Sequence, residues 1–299
     1  MASDGPIAAW HGAVLALGLA CAFGKTSLAA PQSFNTALPV GQKQWLVRAQ
    51  FLYFRGDLPA AGDTEALGGL SVLGYGVTAD LTAFAALPVL HKRLEPRGAP
   101  AREEAGIGDL RLFGRYTVFK RNFPGATFRI APFAGVELPT GRNRARDEFG
   151  VLPPRLQPGS GAVDPFFGTI VTYQSLSLAI DAQLAYQANR DADGFAFGDI
   201  FRADISGQYR VWPRELGPGT PGFLYLALEA NYANFDADRG NGVRVAGSGG
   251  EEFFLSPGLQ YVTRRWVVET LVQIPVARDL GPAAVADDLR LRAGVRFTF

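Results

Sequence analysis

From Leu289 the chain runs LRLRAGVRFTF. One set of alternate positions is Leu289, Leu291, Ala293, Val295, Phe297 and Phe299; the other is Arg290, Arg292, Gly294, Arg296 and Thr298. A period of two with one apolar and one polar face is the mark of a β-strand between two different environments. The same alternation starts at Trp45 (Trp45, Val47, Ala49, Phe51, Tyr53), Leu110, Phe128, Leu178 and Phe201, and similar runs lie near 224–234, 253–262 and 266–276. Turn-forming residues separate them.

This pattern predicts twelve strands, over 43–55, 67–76, 80–90, 105–119, 126–139, 164–174, 177–188, 198–211, 222–235, 251–262, 266–276 and 288–299. Most are long enough to cross hydrocarbon when tilted, and longer than the usual soluble strand. The connections alternate. Short ones fall at 77–80, 120–125, 174–177 and 263–265, with a longer Pro- and Gly-rich one at 212–221; long ones fall at 56–66, 91–104, 140–163, 189–197, 236–250 and 277–287. Short turns on one rim and long loops on the other describe an all-β, antiparallel up-and-down transmembrane β-barrel, and an even strand number puts both ends on the short-turn side. A soluble sandwich also alternates. Strand length argues against it, as do aromatic residues near strand ends, among them Trp45, Tyr53, Tyr173, Tyr209, Trp212, Tyr261 and Trp266, which suit a membrane interface. The last residue, Phe299, ends an alternating strand, the kind of end that the outer-membrane barrel-assembly machinery reads. The expected setting is therefore the bacterial outer membrane, with its lipid and that machinery as partners.

If the apolar set faces lipid, the alternate set lines the lumen. It carries Arg48, Asp109, Arg111, Arg115, Arg129, Glu137, Asp181, Arg202, Asp204, Arg210, Glu229, Glu269, Arg290, Arg292 and Arg296. These are the candidate permeant-path residues, because a charge facing lipid at mid-membrane costs about 2–4 kcal/mol and one facing a wet lumen does not. They could select permeants or pair across the lumen and fill it. The neighbouring strands offer Arg290, Arg292 and Arg296 only Glu269, so this corner reads as net positive wall favouring anions or carboxylated aromatics. The loop 140–163 could fold inward as a constriction, although an exposed extracellular loop is the favoured reading.

The first residues differ from the rest. Ala13–Phe23 is an apolar run of signal-peptide length, too short to span a bilayer as a helix, with small residues at Ser27, Ala29 and Ala30. This divides the chain into an export signal over 1–30 and a barrel over 31–299. The single cysteine, Cys21, falls in that signal, which leaves the mature chain without thiol chemistry. A net charge of +1 over 299 residues gives no basic stripe for nucleic acid. No metal-ligand spacing or phosphate-cradling loop appears, so no cofactor and no metal are expected. Catalysis would need a positioned base; His11 lies in the signal and His91 stands without a nucleophile partner, so no catalytic residues are assigned.

Three stretches carry a family resemblance: GIGDLRLFGRY at 106–116, VELPTGRN at 136–143 and YGVTADLTAFAALP at 75–88. They resemble elements of the meta-pathway phenol-degradation outer-membrane family, over roughly 67–299. The resemblance implies a transporter-like barrel that passes small, often aromatic or hydrophobic, compounds across the outer membrane. The expected function is thus a channel for small organic molecules, with a structural or adhesive barrel acting through its loops as the alternative.

Overall fold

The computed structural model of the chain describes residues 27–215 and 219–299. Most of the export signal expected over 1–30 lies outside the described residues.

Twelve antiparallel strands close on themselves. They are β1 (Trp45–Leu58), β2 (Gly62–Gly76), β3 (Leu81–Pro96), β4 (three pieces: Arg102–Ile107, Leu110–Tyr116 and Phe119–Phe123), β5 (Ala126–Leu138), β6 (Asp164–Ser175), β7 (Leu178–Gln187), β8 (Ile200–Trp212), β9 (Phe223–Phe235), β10 (Gly250–Val262), β11 (Trp266–Leu280) and β12 (Ala286–Thr298). Each pairs with its sequence neighbours, and β12 returns to β1 in a register from Leu46 opposite Thr298 to Asp57 opposite Ala286. Trp45 and Phe299 exchange both backbone hydrogen bonds, at 2.7 and 3.0 Å. No sheet edge is left on the barrel wall, which is what a strand needs in a medium that cannot hydrogen-bond its backbone. Among the described residues no helix is long and apolar enough to cross a membrane.

The outer face is the apolar set. Phe51, Leu112, Phe167, Leu184, Ile205, Leu226, Leu228 and Val268 are exposed on it. Toward the short-turn rim stand Trp45, Tyr209, Trp212 and Trp266, also exposed, with Trp45 against Tyr75 at 4.5 Å and Tyr261 against Trp266 at 5.6 Å. Buried polar groups lie inside: Gln50, Thr172, Asp181, Gln208, Glu229, Ser256, Gln260 and Glu269. A soluble protein inverts this distribution. The chain is therefore an outer-membrane-type barrel, and its location is the bacterial outer membrane.

The strands differ from the sequence reading mainly on the long-loop rim. The connection expected over 56–66 shrinks to a tight turn at 59–61, because β1 runs to Leu58 and β2 starts at Gly62; β3 likewise runs on to Pro96. There the ladder continues beyond the lipid, where neither face needs to be apolar. The fourth strand is broken at Gly108–Asp109, where Gly108 N–H bonds the Pro88 carbonyl at 2.9 Å, and bulges at Thr117–Val118.

Candidate functional site

The lumen holds a segment of the chain itself. Residues 31–42, between the expected signal and β1, have no strand period, and they cross the short-turn half of the barrel in extended form. Apart from a bridge from Gln42 to Gly76, such a segment has no ladder partners, so its backbone groups must be met by lumen side chains. Gln32 N–H donates to Glu229 Oε1 at 2.7 Å, and Ser33 N–H to Glu229 Oε2 at 3.2 Å. Arg48 and Gln50 donate to the Gln32 carbonyl at 3.1 and 3.0 Å. Ala37 N–H donates to Thr172 Oγ1 at 2.8 Å, and Val40 N–H to Thr82 Oγ1 at 3.2 Å. Arg115 donates to Asn35 Oδ1 at 2.6 Å and to the Leu38 carbonyl at 2.5 Å. Ala37 also packs on Ala131 and Ile170, beside Phe133. The strap is thus held by β1, β3, β4, β6 and β9 at once. Ser27–Ala30 continues along the same wall: Ala29 packs with Tyr225, Val262 and Val267, and Gln260 bonds the Ala30 backbone.

Several of the fifteen candidate path residues serve this strap. Arg48, Arg115 and Glu229 bind it directly. Glu269 accepts from Arg48 at 2.6 Å, and Asp181 accepts from Thr172 at 2.5 Å. Arg296 donates to the Leu28 carbonyl. Asp109 instead fixes the loop after β5, accepting Gly141 N–H at 2.9 Å and Ser160 N–H at 2.6 Å. Arg111 meets Glu137 at 3.1 Å and Gln187 at 2.6 Å, with its guanidinium over the Phe166 ring. Asp204 accepts from Asn231 at 2.9 Å and Gln183 at 3.2 Å. Arg210 lies near the short-turn rim, over the Phe223 ring. Arg129 stands opposite Thr172 in the β5–β6 register, and Arg202 opposite Ala185 and Ala233.

The arginine corner carries more acid than the neighbouring strands offer, but among the described residues only Arg290 is paired with it; Arg292 and Arg296 bond neutral oxygens. Arg290 pairs with Glu252 at 3.0 Å and bonds Asp287 at 2.6 Å, and it lies over the Phe254 ring. Arg292 bonds Gln273 Oε1 at 3.0 Å. Glu252 sits on β10, so the pair spans β11 and is invisible to a reading confined to adjacent strands. It could have been found by extending the inward set of β10 (Phe254, Ser256, Gly258, Gln260) back by one step.

Above the strap is a chamber of about 1060 Å³. One wall is aromatic, which strict polar-inside alternation does not anticipate. Phe84 stacks on Phe113 at 4.7 Å, Phe113 meets Phe166 at 5.8 Å and Phe133 at 6.4 Å, and Arg115 lies over Phe84 at 4.9 Å. Two glycines make room for it: a Cβ on Gly168 would meet the Phe133 ring at 2.5 Å, and one on Gly135 would meet Phe113 Cβ at 2.4 Å.

The roof is the part of the loop 140–163 around Leu152 and 156–159, which packs inward, while Arg144, Phe149 and Val151 are exposed, as the favoured sequence reading has the loop. Leu152 and Leu156 are buried with Leu94 and Ala145, and Lys92 donates to the Arg155 and Gln157 carbonyls at 3.2 and 2.7 Å. Arg155 pairs with Asp238 at 2.7 Å. His91 lies on β3 with Glu103 at 3.5 Å, near that rim.

The family model described as "Putative MetA-pathway of phenol degradation" matches residues 32–276. Among solved structures, an outer-membrane channel from Pseudomonas putida F1 is 16% identical, with 91% of this chain and 100% of that chain covered and a TM-score of 0.66. The β domain of the Bordetella autotransporter Brka is 10% identical, covering 86% of this chain and 99% of that one, with a TM-score of 0.49. No curated protein matches the chain.

Proposed function

The chain belongs to the family whose model covers residues 32–276, and we propose that it is an outer-membrane passage for small, largely uncharged organic compounds of aromatic type. The observation that carries this reading is the chamber. It is closed below by residues 31–42 and flanked by Phe84, Phe113, Phe133 and Phe166, and its volume falls at the upper end of the range for small-molecule sites. Ion pairs commit Arg48, Arg111 and Arg290 to carboxylates, so the lumen charges chiefly hold the barrel and strap in place. The fold is that of a channel, and transport, rather than catalysis, is the activity assigned to it.

A saturable flux tests this. In vesicles with a lipopolysaccharide outer leaflet and the refolded protein, phenol should enter faster than into protein-free vesicles, while glucose should not. Equal entry of both solutes, or no protein-dependent phenol entry, would reject the reading. One observation favours a second, anion-preferring reading: among the described residues Arg202 and Arg292 line the chamber without an ion pair. A reversal potential shifted toward the anion potential, and abolished in Arg202→Ala, would support it.

A further inference from the structure

A second cavity lies outside the first, among the long loops. Its volume is about 340 Å³. Leu58, Leu94, Leu156, Phe195, Val245 and Ala283 contribute its apolar wall. Leu94 and Leu156 belong to the small core under the inward-packed loop, so this wall is fixed rather than formed by loose side chains.

Most polar groups at its border are already partnered. Arg155 holds Asp238 at 2.7 Å, and the other Asp238 oxygen accepts Gly198 N–H at 2.9 Å. Lys92 gives two of its three N–H donors to carbonyls of the loop. Ser248 Oγ donates to the Val245 carbonyl at 2.8 Å and accepts Asp238 N–H at 2.8 Å. Arg93 pairs with Glu95 at 2.8 Å, and Asp287 accepts from Arg290 at 2.6 Å. Glu65 is exposed. Among the described residues the buried Arg93 Nε is the one border atom left without a hydrogen bond, enough to take one neutral acceptor; a charged guest would lose its hydration for that single contact, at a cost of a few kcal/mol. An apolar guest loses nothing of that kind.

The two cavities share Lys92, Arg155, Asp238, Ser248 and Asp287 as lining residues, with Phe54 and Val285 beside them. The Arg155–Asp238 pair and the Lys92 contacts therefore form a polar partition between an outer and an inner chamber. We propose that the outer chamber is a capture site for one small uncharged aromatic molecule, a single ring with a short substituent, held at the extracellular mouth before it crosses the partition. The volume sets the size, being near the lower end for small-molecule pockets. This inference rests on the passage function proposed above.

The test uses 4-fluorotoluene as probe, followed by fluorine NMR on the refolded full chain in lipid nanodiscs, with empty nanodiscs as the background. Ala283→Trp fills the outer chamber from a loop and leaves every strand untouched. The expected result is loss of a saturable bound signal. In vesicles, the half-saturation concentration for uptake should rise about tenfold, with the maximal rate and ion conductance unchanged. Val245→Trp, from a different loop of the same chamber, should do the same. An unchanged binding isotherm in both variants, each shown folded by heat-modifiable gel mobility, would overturn the proposal. If the wild-type chain binds the probe in this chamber but passes no solute, the passage reading fails and the capture site stands.

Discussion

At the scale of single residues, Arg115 is the clearest test of what the lumen charges do. Its guanidinium lies over Phe84 and donates to Asn35 and Leu38 of the strap. Hydrogen bonds from a charged donor contribute about 1.5–3 kcal/mol each, so Arg115→Ala should loosen the strap by about 3 kcal/mol. Hydrogen exchange at Asn35–Leu38 should accelerate while exchange of the barrel ladder stays slow. Unchanged exchange would mean the strap is held elsewhere. A second residue effect lies outside the membrane. Arg102 makes a two-point contact with Asp147, at 2.7 and 2.8 Å, which holds the Asp147 carboxyl below the usual carboxylate range. A depressed carboxylate stabilises above its unfolded pKa, about 3.9, and that contribution is lost as pH falls through the folded value. The hairpin of Arg146–Asp147 with Gly150–Val151 should therefore stay protected from protease at pH 5 and become labile below about pH 4. Asp147→Asn should remove that pH dependence.

At the scale of elements, Gly168 on β6 and Gly135 on β5 decide whether the aromatic wall can form. Adding a side chain to a filled site costs about 1–3 kcal/mol, and a Cβ at Gly168 falls on the Phe133 ring. Gly168→Val should lower the unfolding temperature of the barrel in a heat-modifiability assay and slow phenol uptake; a variant matching wild type in both would remove Phe133 from the account. Much of this level was legible in the chain. Alternation placed all twelve strands and both faces, because lipid outside and polar groups inside impose a strict period. It could not place Phe84, Phe113, Phe133 and Phe166 as a wall, since those phenylalanines follow the polar set. It also could not see residues 31–42 as a strap: an extended segment bound through its backbone leaves no period in its side chains. The Arg290–Glu252 pair was hidden for a different reason, being a contact across an intervening strand.

At the scale of the whole molecule, a closed barrel, an internal strap and an inward-packed roof convert a wide lumen into two chambers in series. Many of the lumen charges hold the strap, the roof loop or one another, and one wall of the space left between them is aromatic. The direct measurement is the single-channel conductance of the refolded chain in a planar bilayer, for wild type and Arg115→Ala side by side. A strap-closed lumen predicts small, brief conductance steps in wild type and larger ones once the strap is loosened. Large, steady, ohmic steps in wild type, unchanged by Arg115→Ala, would show an open water-filled pore and contradict the account.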